Sequence, residues 1–246
     1  MDRRQFMGVA ASGLIVGGSA TLAEAAQAAE DERLAGFASS FNGSKAGWQN
    51  VVGNWTLKPG NLYNYGIAGK RTSVKHLNNY TNMYYKVRMR RRGNSTGVAA
   101  NALVLRGNPS SRDAIGNWRP SYLFQYANSG WYSVYRYNAD GSYTGVVPWA
   151  TTSAVYRTGY NIVEVWAYSD GYLDFHINGS HLWGGGDSGG PTFGNVGLSI
   201  YTEPGKYSET FVDYANLTIL NSRSSRHHTG VSGTPRLGGS VNMAPA

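Results

Sequence analysis

From Tyr84 to Arg90 apolar and charged residues alternate, with Tyr85, Val87 and Met89 on one parity and Lys86, Arg88 and Arg90 on the other. A period of two sends successive side chains to opposite faces of a strand, so this segment predicts a half-buried strand with a basic outer side, extended by Arg91 and Arg92. The run YNIVEVWAYSDGYLDFHINGSHLW at 160–183 carries the pattern further. Three short runs rich in Val, Ile, Tyr, Trp and Phe are separated by Asp170-Gly171 and Asn178-Gly179. Both dipeptides supply the two φ > 0 residues of a type I′ turn, so two hairpins in series predict an antiparallel meander. Residues 122–127 and 131–137 predict another hairpin across Asn128-Ser129-Gly130, and the turn at 138–141 leads into a strand at 142–149. Segments 98–106, 196–202 and 211–220 are β-compatible, whereas 108–117 and 184–190 read as loops. Turn signals at Asn42-Gly43 and Pro59-Gly60 surround Trp48, Trp55 and Leu57. The pattern contains no amphipathic helix and no repeat between residues 30 and 220. About a dozen short strands with frequent turns predict an all-β, two-sheet antiparallel sandwich or jelly roll.

The ends of the chain differ from this body. Arg3-Arg4 precedes Phe6, a moderately apolar run from Val9 to Leu22, and then two A-x-A triplets at 23–25 and 26–28. That order of charge, apolar stretch and cleavage signal resembles a twin-arginine export signal over residues 1–29. An amphipathic N-terminal helix with a chance arginine pair is the alternative. The Gly- and Ser-containing run falls short of the about 20 apolar residues a spanning helix needs, so no transmembrane anchor is expected in the mature chain. Residues 30–36 read as a linker, 37–220 as the domain and 221–246, rich in Ser, Arg and Gly, as a disordered tail. An exported chain is expected in the periplasm or outside the cell.

Composition narrows the chemistry. The chain has no cysteine, which excludes disulfides and thiolate metal sites. Its net charge is +8, of which residues 30–220 keep +5. Such a body attracts acidic polymers, and export makes polysaccharide or another cell-envelope polymer the expected partner and nucleic acid an unlikely one. Tyr and Trp together number 25 against 7 Phe, so most rings carry a polar handle suited to surfaces that are apolar on one side and wet on the other.

The order of parts resembles the concanavalin A-like lectin/glucanase superfamily, particularly its laminin-G-like jelly-roll branch. The resemblance spans about residues 37–220. Its carriers are Phe41-Asn42 before Trp48, Gly53-Asn54-Trp55, YYKVRMRRRG at 84–93, the central YLFQY, the 160–183 run, GNVGLSIYT at 194–202 and FVDYANLTI at 211–219. It implies a concave sheet face and loops that bind saccharides, in some members with Ca²⁺.

Candidate site residues follow from chemistry and parity. Gln125 and Arg136 suit a core poorly, so their strand faces are expected to look outward. Trp118, flanked by Asn117 and Arg119, reads as a rim aromatic, and Trp166 should share an outer face with Glu164. Rings of this kind accept the C–H face of a sugar while Arg88, Arg90, Arg119, Gln125 and Arg136 meet hydroxyls or carboxylates. Asp174 and His176 share a strand face, and His181 could join them across the Asn178-Gly179 turn as metal ligands or as a solvated surface. Ca²⁺ could sit among the Asp140, Asp170 or Asp187 loops, although no run of oxygen ligands is spelled out.

Catalysis is the competing expectation. A glycoside hydrolase or lyase needs two acid/base groups, and Glu203 or Glu209 with His176 are candidates by residue type. The Glu-x-Asp-x-x-Glu spacing of the glucanase branch is not present. Gly186-Asp187-Ser188-Gly189-Gly190-Pro191 is identical to the nucleophile motif of trypsin-like serine proteases. A serine without an ordered imidazole base is a weak nucleophile, however, and none of His76, His176 and His181 stands in that family's order. The reading adopted is an exported carbohydrate-binding sandwich, with catalysis left open and protease the remote alternative.

Overall fold

The computed structural model describes residues 36–94 and 99–221. The expected export signal, all of the expected linker except Gly36 and all of the expected tail except Asn221 lie outside the described residues. Among the described residues no helix is long and apolar enough to cross a membrane. The chain forms β1 (Phe37–Ser39), β2 (Trp48–Val52), β3 (Trp55–Lys58), β4 (Asn61–Tyr65), β5 (Lys70–Tyr80), β6 (Met83–Gly93), β7 (Ala100–Gly107) and β8 (Ser121–Ala127). It continues through β9 (Trp131–Tyr137), β10 (Tyr143–Thr151), β11 (Asn161–Ala167), β12 (Tyr172–Ile177), β13 (Ser180–Gly186), β14 (Gly194–Thr202) and β15 (Ser208–Ile219).

Two antiparallel sheets result. The front sheet has the order β10-β9-β8-β7-β14-β5-β2, and the back sheet runs β13-β12-β11-β6-β15-β4-β3 with β1 paired to β15. The expected all-β sandwich is therefore the fold. The meander is its clearest local part: Asn178-Gly179 joins β12 to β13 with φ of 51° and 78°, as a type I′ turn requires. Only a residue tolerant of the left-handed region suits such a turn. The connection from β11 to β12 spans residues 168–171 and, of Asp170-Gly171, only Gly171 has positive φ, 85°, which corrects the expected type I′ turn there.

Alternation decides what each sheet buries. Tyr85, Val87 and Met89 of β6 face inward with Val163 and Val165 of β11 and Leu173, Phe175 and Ile177 of β12. They meet Leu103 and Leu105 of β7 and Tyr122, Phe124 and Tyr126 of β8, with the rings of Phe124 and Phe175 edge-on at 5.2 Å. Burying side chains of this size stabilises the fold by about 1.5–3 kcal/mol each. A second cluster lies on the other side of the front sheet, where Ala102, Val104, Leu123, Tyr137 and Trp118 pack together.

Several expectations need correction. β5, KRTSVKHLNNY, has no clean apolar alternation, yet its Arg71, Thr72, Ser73 and His76 are all buried. β13 runs through Gly184–Gly186, which read as loop. Arg91 belongs to the buried parity of β6, where its guanidinium donates to the Tyr201 carbonyl at 2.6 Å. Three edge strands carry bulges: β2 near Val51, β10 at two places around Val147 and Pro148, and β13 at Leu182.

Candidate functional site

Residues 108–119, between β7 and β8, fold over the outer side of the front sheet. Asp113 organises this loop. Its Oδ1 accepts the backbone N–H groups of Ile115, Gly116 and Asn117 at 3.1, 2.8 and 2.9 Å, and its Oδ2 accepts Asn117 Nδ2 at 2.7 Å and Arg119 Nη2 at 3.4 Å. The loop and the Asp140-Gly141 turn enclose a recess of about 600 Å³ lined by Arg112, Asp113, Asn117, Arg119, Tyr137 and Tyr143, among others. Tyr135, Tyr137 and Tyr143 form a triangle of rings with centroids 5.9–6.5 Å apart. Tyr143 is 49% exposed, so its ring can take a ligand. Burial holds the Tyr137 hydroxyl above its usual range and keeps it a protonated donor. Asn117 Oδ1 and Arg119 Nε are buried without a partner among the described residues.

Arg71 lies beneath the loop and accounts for the buried position of Gln125. Its Nη2 donates to Gln125 Oε1 at 2.6 Å, and Gln125 Nε2 donates to Ser133 Oγ at 2.9 Å. Burial lowers the affinity of Arg71 for its proton, and the nearby Tyr137 and Asp113 partly restore it.

The residues expected to bind ligand divide between the two sheets. Arg119 lines the recess. Gln125 does turn away from the sandwich core, but the loop covers it, and it is 2% exposed. Trp118 is not a rim aromatic. It is 1% exposed and lies in a slot where a Cβ on Gly107 or Gly197 would come within 2.5 Å of its ring, with Nε1 donating to Ser73 Oγ at 3.0 Å. Arg136 is also corrected. It pairs with Tyr122 and so shares the core-facing parity of Tyr132 and Val134. Near the end of β9 its guanidinium escapes between the sheets to pair with Asp187.

Arg88, Arg90, Trp166, Asp174 and His176 are on the outer face of the back sheet. Arg88 pairs with Asp213, and the guanidinium carbons of Arg88 and Arg90 stand 4.3 and 4.6 Å from the ring centroid of Tyr160. Trp166 shares this face with Glu164 as expected and stacks on Tyr84 at 4.4 Å. Glu164 is engaged by Tyr84 and by Lys86 at 3.2 Å. The sequence reading did not select Arg112, Asn117 or Tyr143 for the site. The ring of Tyr143, beside the Asp140-Gly141 turn in an aromatic-rich stretch, was the available signal.

The catalytic candidates do not converge. Glu209 lies on β15 and accepts the Tyr63 hydroxyl at 2.8 Å, two intervening strands away from His176. Three strand spacings amount to about 14 Å. Glu203 follows β14 in the other sheet, in the field of Arg91. The protease-like string serves packing: Asp187 accepts Arg136 and the Tyr122 hydroxyl at 3.0 Å, and a Cβ on Gly189 or Gly190 would strike Arg136 or Tyr122. His76 is buried against Phe37, and His176 and His181 both contact Asp174, so each histidine is otherwise engaged. The carboxylates proposed for Ca²⁺ serve their own surroundings, since Asp140 Oδ1 accepts Ser142 N, Asp170 Oδ1 accepts Tyr172 N, and Asp187 holds Arg136.

No protein-family model matches the chain, and no curated protein does. Solved structures do resemble it. A structure titled as a native glycosidic hydrolase aligns with a TM-score of 0.59 at 12% identity, covering 77% of this chain and 98% of that one. The β-glucanase of Bacillus licheniformis aligns at 0.57 with 11% identity, covering 75% and 98%. The carbohydrate-binding module CBM66 of Bacillus subtilis aligns at 0.52 with 16% identity, covering 68% and 94%. Likeness at this level of identity speaks to architecture alone, and that architecture is a two-sheet antiparallel β-sandwich.

Proposed function

We propose that the protein is an exported carbohydrate-binding module of the laminin-G-like branch, taking acidic polysaccharide or cell-envelope glycan in the recess over the front sheet. The observation that carries this reading is the recess itself: an exposed Tyr143 ring beside Tyr137, with Arg112 and Arg119 among the lining side chains and Asp113 as the carboxylate. A sugar ring stacks on such a phenol, and a guanidinium can hold a uronate or other carboxylate in a bidentate pair. CBM66, named a carbohydrate-binding module, and the glycoside-hydrolase titles of other structural neighbours lend support from the same fold.

The competing reading is hydrolysis or lysis of polysaccharide on the same surface. Hydrolysis asks for two carboxylates flanking the scissile bond. Asp113 has both oxygens committed to the loop, which favours binding over turnover. A glycan array followed by titration tests the choice. Tyr143→Ala should weaken the bound glycan about tenfold, the loss of about 1.4 kcal/mol expected for a central aromatic contact, while melting within a few degrees of wild type. Unchanged affinity would remove the recess as the binding site, and release of new reducing ends would favour the enzyme.

Delivery outside the cytoplasm is a separate part of the proposal and rests on Arg3-Arg4. That export route reads the arginine pair rather than its charge. Replacing both with Lys should leave a full-length precursor in the cytoplasm, visible by fractionation. Normal processing of the Lys-Lys variant would refute it.

A further inference from the structure

The outer face of the back sheet ends in a cluster remote from the recess residues. Asp174 and His176 stand two residues apart on β12 and project to the same side. His181 reaches them from β13 because of a bulge. Asp174 opposes Gly184 and Phe175 opposes Trp183, a register that would set His181 opposite Ile177 and turn its imidazole toward the core. The register shifts after Phe175. Leu182 becomes the extra residue, and His181 opposes His176 instead. Bulges re-aim side chains, and this one delivers a second imidazole to the outer face.

Asp174 already stands at ligand spacing from both imidazoles. His176 Nε2 lies 3.0 Å and His181 Nε2 3.1 Å from Asp174 Oδ1, and one ligating atom from each residue falls within 4.8 Å of the others. Ligands about 2.0–2.2 Å from one ion stand about 2.9–3.5 Å apart in tetrahedral or octahedral arrangement. Gly184 keeps a side of the cluster open. A Cβ there would come 2.9 Å from Tyr172 Oη, 3.1 Å from His181 Nε2 and 3.4 Å from Asp174 Oδ1.

We propose that Asp174, His176 and His181 bind a divalent transition-metal ion, with zinc as the reference, joining β12 to β13 on the back sheet. Two imidazoles and one carboxylate suit zinc, nickel or copper, whereas Ca²⁺ takes six to eight oxygens. The ion pairs of Asp174 among the described residues are with these two histidines, so no Lys or Arg has to be displaced. The Trp166 ring centroid is 4.8 Å from that of His176, close enough to report occupancy by its emission.

The tail carries His227-His228, which could hold metal unspecifically, so the test starts from the full-length chain with both changed to Gln. Calorimetric titration of that protein with zinc chloride should give one ion per chain, and Cu²⁺ should quench tryptophan emission at the same stoichiometry. Adding His181→Gln should weaken zinc binding by at least about a hundredfold, because losing a ligand exceeds the about 10–100-fold cost of losing an outer-shell partner. The His181 side chain is 53% exposed, so the variant should keep its fold by circular dichroism. Gly184→Ala removes no ligand, yet it should also weaken binding. Absence of zinc binding once His227 and His228 are gone, or undiminished affinity in His181→Gln, would overturn the proposal.

Discussion

Trp118→Ala is expected to lower the melting temperature by about 6–20 °C, measured by circular dichroism. Removing a fully buried tryptophan costs about 3–5 kcal/mol, and a domain of this size loses about 2–4 °C per kcal/mol. The slot left by Gly107 and Gly197 cannot close around alanine, since both walls are backbone of paired strands. Ser73 would also lose the indole donor. The same change should disturb the recess indirectly, because the indole anchors the C-terminal end of the loop to β5 through Ser73, and the Trp118 backbone bridges to that of Arg112 in the recess wall. A melting point within two degrees of wild type would mean that the ring is not part of the core of this face.

Acid should weaken the fold through His76. Burial beneath Phe37 and Trp48 lowers its pKa from 6.5 to about 4, and the stacked Phe37 ring lies 4.0 Å away. The Asn78 N–H points at Nδ1 at 3.4 Å, an arrangement that suits the neutral ring. The folded state therefore resists a proton that the unfolded chain takes up. Stability is fully present above pH 6.5 and falls as pH drops toward 4. The slope is about 1.4 kcal/mol per pH unit, for a total of about 3 kcal/mol. Urea unfolding at several pH values should show this loss in wild type and a flatter profile in His76→Gln. Parallel profiles for the two proteins would show that His76 does not carry the effect.

Much of the architecture was legible because its signals are local. The Asp170-Gly171 and Asn178-Gly179 turns, and the alternation from Tyr85 to Arg90, depend on backbone geometry and on burial of one face only. β5 escaped because its buried polar side chains find partners at a distance: Thr72 Oγ1 in Asn64 at 2.7 Å, Ser73 in Trp118, and Arg71, through Nη2 alone, in Gln125. Period-two reasoning sees those residues as surface. Trp118 and Arg136 failed for related reasons. Polar sequence neighbours suggested exposure for Trp118, whereas a loop folded back over the sheet and two distant glycines decide its burial. For Arg136 a charged side chain at a strand end could keep the inward parity because it had an exit between the sheets. The recess was legible as an aromatic-rich stretch with arginines nearby, but not as a place, since a loop and a turn from different hairpins define it.

Among the described strands β10, β2, β13 and β3 end the two sheets and β1 pairs only with β15, and such unpaired flanks invite pairing with a second chain. Here the extra residues of β2, β10 and β13 fall on those outermost strands. Irregular backbone spacing presents a poor template to an incoming strand, and Pro148 on β10 also removes a donor. Three borders of this domain are therefore poorly suited to growing by strand addition, and peptide docking by β-augmentation is disfavoured there. The outer flank of β3, whose pairing with β4 is regular, lacks such an irregularity, so any strand addition to this domain is directed to that border.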